Sequence, residues 1–311
     1  DVLAGRVHAL ALTEEAHGGD LLATETTATR DGEAWRLTGA KWLINNATRG
    51  DVLAVFARTA ARGGARGFSM FHVRKRDDDA FACLPRVATH GIRGADISGV
   101  RFDGFRAPSE ALVGGEGRGL EVVMKVLQVT RTFVPALSLG ALDSALRHVV
   151  AFARARRIGA AAVVDFPHAR RVLAGCFIEL LAQEALVRVC AREASVAPER
   201  LVVASAVSKY LAPTRVDAAL GELGEVLGAR RYLRGDLLEK IRRDHSLVPL
   251  FDGSTVVNLH ALAQELPRLG DARCDDDGAA YDLHAPLPPF RFHRLDVVCR
   301  GDALDAPVVH A

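Results

Sequence analysis

A carboxylate near the end of the chain has the surroundings that a general base needs. Asp252 follows the apolar residues 247–251 and precedes Gly253-Ser254-Thr255, a turn that can start a helix. A carboxylate that lies beside apolar neighbours at a helix start can accept a proton from a substrate. The same position suits an ordinary N-terminal helix cap, so the residues themselves leave both interpretations of Asp252 open.

The composition predicts a globular protein that binds no nucleic acid. The chain has 311 residues, of which 49% are hydrophobic and 25% charged, so it can bury a sizeable core. Its 40 basic and 38 acidic side chains are intermingled and give a net charge of +2, which is not the charge pattern of a nucleic-acid surface.

The cysteine and hydropathy patterns predict a cytoplasmic protein without a membrane span. The five cysteines are widely spaced and include no C-x-x-C pair, so neither a disulfide framework nor a zinc site is expected. No apolar run reaches the ~18 residues that a transmembrane helix needs. The first residues lack the pattern of a signal peptide, and the missing initiator methionine indicates a processed or trimmed chain. Two aspartate triplets, residues 77–79 and 275–277, lack the alternating spacing of metal ligands, and no metal site is expected.

The hydrophobic period changes once along the chain, which indicates two domains. Residues 1–112 contain short apolar runs between turns rich in Gly, Asp and Arg, with clear alternation at residues 99–103, and predict a small antiparallel β-barrel or sandwich. From residue 120 apolar residues recur at helical spacing, and residues 113–270 predict an α-helical bundle of the four-helix type. Residues 271–311 predict an extended tail that lies on the bundle or is a linker cut short. The fold class is therefore α+β.

The stretch around Asp252 resembles the signature of the acyl-CoA dehydrogenase family, which is arginine-aspartate, seven residues, then glutamate-glycine-threonine. Arg243-Asp244 precedes Asp252-Gly253-Ser254 at that spacing. The resemblance implies that Asp252 is the catalytic base that removes the α-proton of the substrate, and that Ser254 contacts the cofactor. Asp252 replaces the glutamate of the family and is one methylene shorter, and Ser254 replaces the threonine.

Two further stretches resemble the flavin-binding segments of the same family. Residues 11–20 resemble its threonine-glutamate-proline-x-x-glycine-serine-aspartate loop, whose backbone and hydroxyl groups hold the flavin ring and the thioester end of the substrate. Gly19 takes the place of the serine on the substrate side of this loop. Residues 39–47 resemble its glycine-x-lysine-x-tryptophan-isoleucine-threonine strand, in which Asn45 replaces the threonine and can still donate to a flavin nitrogen. The resemblance implies cofactor-binding roles for Leu12, Thr13, Gly18, Leu43, Ile44 and Asn45.

The helical part carries three matches to the family. Arg131 lies where the family has an arginine near the base, and the resemblance implies that Arg131 and the preceding Thr130 bind the substrate. Arg156 belongs to a basic stretch that loosely matches R-x-x-F-G, whose arginine reaches the FAD diphosphate of a neighbouring subunit. A third match, to the family's Q-x-x-G-G-x-G loop against the partner's FAD, implies cofactor-binding roles for Glu225, Gly228 and Ala229.

The resemblance covers about residues 8–266 and implies an FAD-dependent α,β-dehydrogenase of acyl-CoA or acyl-carrier-protein thioesters. It also implies an electron-transfer flavoprotein or similar acceptor and a homodimer or homotetramer. Members of the family begin with a helical domain, whereas this chain opens at the β domain. We expect either that a partner chain supplies that domain, or that the chain is a fragment, or that the site is open.

Two other functions stay open on the same residues. A flavin oxidase is one, of the acyl-CoA oxidase kind or like the nitroalkane oxidases, which resemble this family and use an aspartate as base at the matching position. A non-catalytic subunit that pairs with an active homologue is the other. It is favoured by four departures from the family motifs: Gly19 replaces the serine, Leu43 replaces the aromatic residue, and Ala229 and Arg231 replace glycines.

Overall fold

The computed structural model describes residues 4–76, 79–269 and 278–298. The chain divides into two compact units, Asp1–Met124 and Lys125–Ala311. The first is built around a β-sheet and the second is helical, so the predicted α+β class is confirmed. The domain limits expected from the sequence, after residues 112 and 270, stay a prediction.

The first unit contains one mixed eight-stranded sheet. Its order is β6-β7-β3-β2-β4-β5-β8, and β1 pairs with β4. The sequence predicts an antiparallel sheet, and most pairs are antiparallel, but β4 runs parallel to β1 and, over one residue pair, to β2. The reason is that β3 reverses the chain between β2 and β4, so β4 runs in the direction of β2. The strands are β1 His8–Ala11, β2 Thr27–Asp31, β3 Ala34–Asn45, β4 Val52–Arg58, β5 Phe68–Arg74, β6 Phe81–Leu84, β7 Ile97–Pro108 and β8 Leu112–Val113.

Aromatic side chains fill the interior of this sheet. Trp35 packs edge-on against Phe71 with ring centroids 5.3 Å apart, and Phe102 packs edge-on against Phe105 at 5.8 Å. All four side chains are buried in one apolar cluster. On β7 the alternation seen in the sequence is realised, because Val100 and Phe102 are buried while Arg101 and Asp103, on the other face, are exposed.

The second unit is a helical bundle that begins with the C-terminal part of α1. Prolines and a glycine set its helix limits: α2 begins at Pro135, α3 begins at Pro167, and α4 ends where Gly228 adopts a φ of 61° and donates its N–H to Glu225 O and Gly224 O. The helices are α1 Gly119–Phe133, α2 Pro135–Ala155, α3 Pro167–Val196, α4 Leu201–Leu227, α5 Leu237–His245 and α6 Thr255–Leu269, and a two-stranded ribbon of β9 Arg157–Ile158 and β10 Ala161–Ala162 joins α2 to α3.

Packing of α2, α3 and α4 against one another forms the core of the bundle. Leu142, Cys176 and Leu220 are buried in one cluster, to which α5 adds Leu238. Gly119–Ala155 is long and apolar enough to cross a membrane by length and composition alone. In the structure this stretch is two helices, α1 and α2, and the apolar side of α2 faces the bundle core.

Part of the predicted tail lies within the described residues. At residues 278–298 the carbonyl oxygens of Ala279 and Ala285 accept hydrogen bonds from Arg192 of α3 at 3.2 and 3.0 Å. Leu295 packs into a small apolar cluster with Cys190 and other residues of the bundle. Most of the two aspartate triplets, namely residues 77, 78 and 275–277, lies outside the described residues, and so do Cys274 and Cys299.

A close backbone approach between β7 and β3 gives a test of the sheet. A Cβ added at Gly99 would lie 2.4 Å from Lys41 O, so Gly99→Ala must push the two strands apart. We expect this change to lower the free energy of unfolding by about 1–3 kcal/mol, the usual cost of overpacking. Gly94→Ala is the control, because a Cβ there meets no atom within 4 Å. Urea unfolding of both variants measures the difference, and equal stabilities would contradict this account of the β3–β7 contact.

Candidate functional site

A bulge in β3 brings together two of the segments that resemble flavin-binding elements. Lys41 pairs with Val100 and Ile44 with Ser98, so the register skips Trp42 and Leu43, which have no partner in β7. Leu43 adopts a φ of 54°, and its side chain is 41% exposed. Trp42 donates its N–H to Thr13 O at 2.9 Å, so the loop after β1 lies directly beside the bulge.

A buried ion pair holds this loop. Lys41 Nζ donates to Glu14 Oε1 and to Leu12 O, both at 2.9 Å, and the lysine side chain is completely buried. The carboxylate of Glu14 also accepts the backbone N–H groups of Glu25 at 2.7 Å and Thr26 at 2.9 Å. The carboxylate of Glu14 therefore holds the backbone at residues 25–26 directly, and Lys41, which it binds, holds the carbonyl of Leu12.

The pKa values of the two partners move for different reasons. Burial alone would raise the pKa of Glu14, but the hydrogen bonds from Thr26, Glu25 and Lys41 outweigh it and lower the pKa to about 2. Burial lowers the pKa of Lys41 to about 8, although Glu14 opposes the change. The charged form is thus favoured at Glu14 and disfavoured at Lys41. Both groups are still ionised at neutral pH, because the pKa of Glu14 lies well below 7 and that of Lys41 lies above 7.

The other predicted residues of the β unit lie around the same loop and bulge. Gly18 and Gly19 are exposed in the turn that follows Glu14, and Gly18 N–H donates to Glu14 O at 3.0 Å. Asn45 is exposed at the end of β3. Ile44 is different, because its side chain is buried in the core of the sheet and only its backbone could face a ligand.

Asp252 lies in the segment between α5 and α6 and does not cap α6. Ser254 Oγ accepts the N–H of Val257 at 3.4 Å, so Ser254 is the cap and the interpretation of Asp252 as a cap is wrong. Asp252 adopts a φ of 54° and is half-buried. Within the described residues its carboxylate makes no hydrogen bond and no ion pair, so its oxygens are free to accept a proton.

Two buried cations hold the backbone around Asp252. Arg131 Nε donates to Asp252 O at 2.8 Å, and Lys209 Nζ donates to Val248 O at 2.7 Å and to Gly253 O at 3.3 Å. Gly253 has a φ of 100°, and a Cβ there would lie 2.6 Å from Arg131 Nη2, so the guanidinium fits only against a glycine.

The charges of these three residues act on one another. Burial lowers the pKa of Lys209 to about 8, while Asp252 raises it and Arg131 lowers it further. Burial also lowers the pKa of Arg131, again against the attraction of Asp252. The charge of Asp252 therefore attracts two buried cations, although its carboxylate forms no ion pair with either of them.

Neutral hydrogen bonds complete this segment, which we define as residues 246–254 and call the base loop. Asn258 of α6 donates from Nδ2 to Gly253 O at 2.9 Å and to Ser254 O at 3.1 Å. At the start of the base loop, His245 contacts Asp217 Oδ1 through Nδ1 at 3.0 Å and Ser138 Oγ through Nε2 at 2.9 Å. These contacts tie α5 to α4 and α2 just before the base loop begins.

A third group of predicted residues lies at one end of the bundle. Arg156 caps the C-terminus of α2 and is exposed, and Gly228 and Ala229 begin the turn Gly228–Tyr232 after α4. A cavity of about 310 Å³ lies here, lined by residues that include Phe152 and Arg230. The Arg230 guanidinium lies 5.6 Å from the centre of the Phe152 ring, and Glu225 lies 3.7 Å from His168.

Comparison with protein families decides the assignment. The model described as "Acyl-CoA dehydrogenase, middle domain" matches residues 9–105, and the model described as "Acyl-CoA dehydrogenase, C-terminal domain" matches residues 117–266. The chain belongs to the acyl-CoA dehydrogenase family. The predicted family and the predicted oxidoreductase class are confirmed, and the family implies a flavin cofactor.

Individual relatives agree with this family. The probable acyl-CoA dehydrogenase FadE25 of Mycobacterium tuberculosis is 26% identical over 264 residues, which are 85% of this chain and 68% of that protein. The cyclohex-1-ene-1-carbonyl-CoA dehydrogenase of Geobacter metallireducens is 30% identical over 256 residues, which are 80% of this chain and 65% of that protein. The chain thus spans about two thirds of the length of these relatives.

The solved structure of butyryl-CoA dehydrogenase from Megasphaera elsdenii shows the same fold. Its TM-score is 0.82 at 24% identity, and the match covers 86% of this chain and 70% of that one. Against this acyl-CoA dehydrogenase fold, the predicted residues form three groups: the loop and bulge of the sheet, the base loop with Arg131, and the end of the bundle near Arg156. Thr130 lies next to Arg131, but its hydroxyl donates to Leu127 O of its own helix at 3.2 Å.

Sequence reasoning missed two residues that hold the base loop of this acyl-CoA dehydrogenase. Lys209 and Asn258 lie in apolar helical stretches and match no motif of the resemblance. Lys209 could have been noticed, because it is the single charge in the apolar residues 201–212. A charged residue within a helix stripe that must be buried calls for a buried partner.

The Glu14 contacts predict a specific dependence of stability on pH. Because the folded-state pKa of Glu14 is about 2 against an ordinary 4.5, its stabilisation is complete above pH 4.5 and is lost as the pH falls towards 2. The stability advantage of the parent over Glu14→Gln should therefore shrink by about 3 kcal/mol across that window. Urea unfolding at a series of pH values measures it.

Glu15→Gln is the matched control for this change. Glu15 is the next residue and is exposed, so its variant should follow the parent at every pH. A difference between parent and Glu14→Gln that does not change with pH would show that the hydrogen bonds to Glu14 do not set its ionisation.

Proposed function

We propose that this chain is an FAD-dependent acyl-thioester α,β-dehydrogenase in which Asp252 removes the α-proton of the substrate. The observation that carries this proposal is the state of the Asp252 side chain. Its carboxylate is half-buried and has no hydrogen-bond partner among the described residues, while the backbone on both sides of it is held by Arg131 and Lys209. A carboxylate that only stabilised the fold would be expected to spend its oxygens on a cap or an ion pair.

The residues of the sheet unit fit the flavin that the family implies. Leu43 lies at a bulge whose backbone has no partner in β7, and Asn45 is exposed beside it, so this edge offers polar groups to a heteroaromatic ring. Thr13 and Leu12 lie against the same bulge. Bound there, the flavin would supply the redox chemistry by accepting the hydride from the β-carbon of the substrate.

The bundle end near Arg156 fits the diphosphate of FAD. Arg156 is exposed and its side chain has no partner among the described residues, and Arg230 lines the neighbouring cavity. Guanidinium groups bind phosphate oxygens through paired, charge-assisted hydrogen bonds. The turn at Gly228–Tyr232 brings backbone groups to the same end. We therefore assign Arg156, with Glu225, Gly228 and Ala229, to the cofactor of a neighbouring subunit.

The role of Asp252 in the reaction follows from its chemistry. The carboxylate of Asp252 accepts the α-proton, and Arg131 holds the backbone carbonyl of the same residue. Arg131 and Thr130 are the substrate-side residues of α1, and Gly19 and Ser254 keep the substrate and cofactor roles that the resemblance implies.

The proposed partners follow from this reaction. The substrate is an acyl thioester of coenzyme A or a carrier protein, and an electron-transfer flavoprotein or a similar acceptor takes the electrons. The assignment of Arg156 to a neighbouring cofactor requires a homodimer or homotetramer. A cytoplasmic location is supported by Cys83, Cys176 and Cys190, which are free thiols.

The proposal predicts the behaviour of two Asp252 variants. Asp252→Asn keeps the shape of the side chain and removes the proton acceptor, so FAD should stay bound while flavin reduction by acyl-CoA slows by about 10²-fold or more. Asp252→Glu keeps a carboxylate and should still reduce the flavin. Anaerobic stopped-flow mixing with a panel of acyl-CoA thioesters measures both rates. The rate at which the reduced flavin then reacts with oxygen separates a dehydrogenase from an oxidase.

Asp244→Asn provides the control for this experiment. Asp244 lies eight residues before Asp252, and its carboxylate is engaged with Lys240 on α5. Its variant should reduce flavin at the parent rate. If the flavin of Asp252→Asn is also reduced at the parent rate, Asp252 is not the base. If the parent protein holds FAD but none of the thioesters reduces it, the non-catalytic subunit is favoured.

A separate prediction concerns the diphosphate. Arg156→Ala should lower the affinity for FAD by about tenfold or more, the effect of losing a hydrogen bond to a charged group, and should leave the affinity for riboflavin unchanged. Fluorescence titration of the flavin-free protein with both compounds measures the two affinities.

Arg154→Ala is the matched control, because Arg154 is an exposed arginine in the last turn of the same helix. Sedimentation of the loaded protein adds an independent check. A monomer that holds FAD at full occupancy would contradict the assignment of Arg156 to a neighbouring subunit.

A further inference from the structure

Lys209 is a buried charge that matches no motif of the family resemblance. It lies in the middle of α4, and only 1% of its surface is exposed. Its ammonium donates to Val248 O and Gly253 O, on the two sides of Asp252, and lies 5.5 Å from the centre of the Phe251 ring. One side chain thus contacts both ends of the stretch that carries the proposed base.

Hydrogen bonding alone does not require a charge at this position. Asn258 already donates to Gly253 O, and a neutral amide in place of the lysine could donate to Val248 O. Removing an ammonium from water costs several kcal/mol unless a nearby charge compensates it. The acidic group that compensates Lys209 is Asp252, and this attraction connects the lysine to the base as well as to the backbone.

The charges that face Lys209 can be assigned by element. Arg131 of α1 repels it and Asp252 of the base loop attracts it. One further acidic group of α4, Asp217, is engaged with His245 at the end of α5. Because burial leaves the pKa of Lys209 at about 8, the lysine is a cation over the neutral and acidic range in which a carboxylate base changes its charge.

We infer that Lys209 is a positioning residue for the base, holding the backbone on both sides of Asp252 and attracting its carboxylate. The inference rests on the proposed role of Asp252. Arg131 and Lys209 have different roles in the base loop, because Arg131 binds the carbonyl of Asp252 itself, whereas Lys209 binds the carbonyls of residues before and after it. Lys209 touches neither substrate nor cofactor in this account and acts only through the base loop.

The test replaces the lysine in the FAD-loaded protein. Lys209→Met keeps the length and apolar body of the side chain and removes both the donor and the charge. Flavin content and the concentration of thioester that gives half-maximal rate should change little, and the maximal rate of flavin reduction should fall by about tenfold or more, because small displacements of a base are costly. The acidic limb of the pH profile should move to higher pH by about one unit, since a cation beside the base is lost.

Two further variants separate position from charge and from general damage. Lys209→Gln restores a neutral donor, so it should recover part of the rate while the pH profile stays shifted. Lys240→Met makes the same change at an exposed lysine of α5 and should match the parent in rate and in pH profile. If Lys209→Met does not fold, the glutamine variant still tests the shift of the pH profile.

A readout without cofactor or activity separates the two proposals. In the flavin-free protein, hydrogen exchange of the amides of residues 250–254 should speed up in Lys209→Met and not in Lys240→Met. Suppose that amide exchange is faster in Lys209→Met and that no thioester reduces the flavin of the parent protein. Lys209 then holds the loop, but the proposed function is wrong. Parent-like rate, pH profile and exchange in both Lys209 variants would overturn the inference about Lys209.

Discussion

The backbone carbonyls of a tight loop must be hydrogen-bonded when they are buried, and this constraint shapes the proposed site. The base loop consists of turns and bends and forms no helix or strand around Asp252. Its carbonyls at Val248, Asp252 and Gly253 are instead taken by side chains from helices α1, α4 and α6. The conformation that presents the carboxylate therefore depends on residues far away in sequence.

The sheet unit uses the same arrangement at its own loop. Lys41 is buried, donates to Leu12 O, and compensates its charge with Glu14, much as Lys209 donates to loop carbonyls beside Asp252. Burial brings the pKa of both lysines to about 8. The difference lies in the acids. Glu14 accepts three hydrogen bonds and is fully committed to structure, whereas the carboxylate of Asp252 accepts none from the described residues, and this leaves it available for chemistry.

The sequence predicts the α+β fold and the order of the elements because their signals are local. Pro135, Pro167 and Gly228 mark helix limits by their own backbone chemistry, and β7 is visible from its alternation. The resemblance also indicates the positions that form the three groups of the candidate site. The partners of Lys209 could not be predicted from such signals, because they are carbonyl oxygens about forty residues away, and carbonyl groups have no sequence signature. The parallel β1–β4 pair could not be predicted for a related reason, since about forty residues, with β2 and β3 among them, lie between the two strands in sequence.

The aspartate at the position of the family's glutamate fits the backbone that carries it. Within the described residues, four positions other than glycine have a positive φ, and two of them, Leu43 and Asp252, are predicted site residues. Such a conformation costs most side chains about 1 kcal/mol, and aspartate tolerates it better than glutamate because its short carboxylate can interact locally with the backbone. The shorter acid gives up reach towards the substrate but relieves strain in the base loop. Arg131 and Lys209 hold the backbone on which this carboxylate is carried, so the loss of one methylene changes the position of the proposed base and keeps its chemical group.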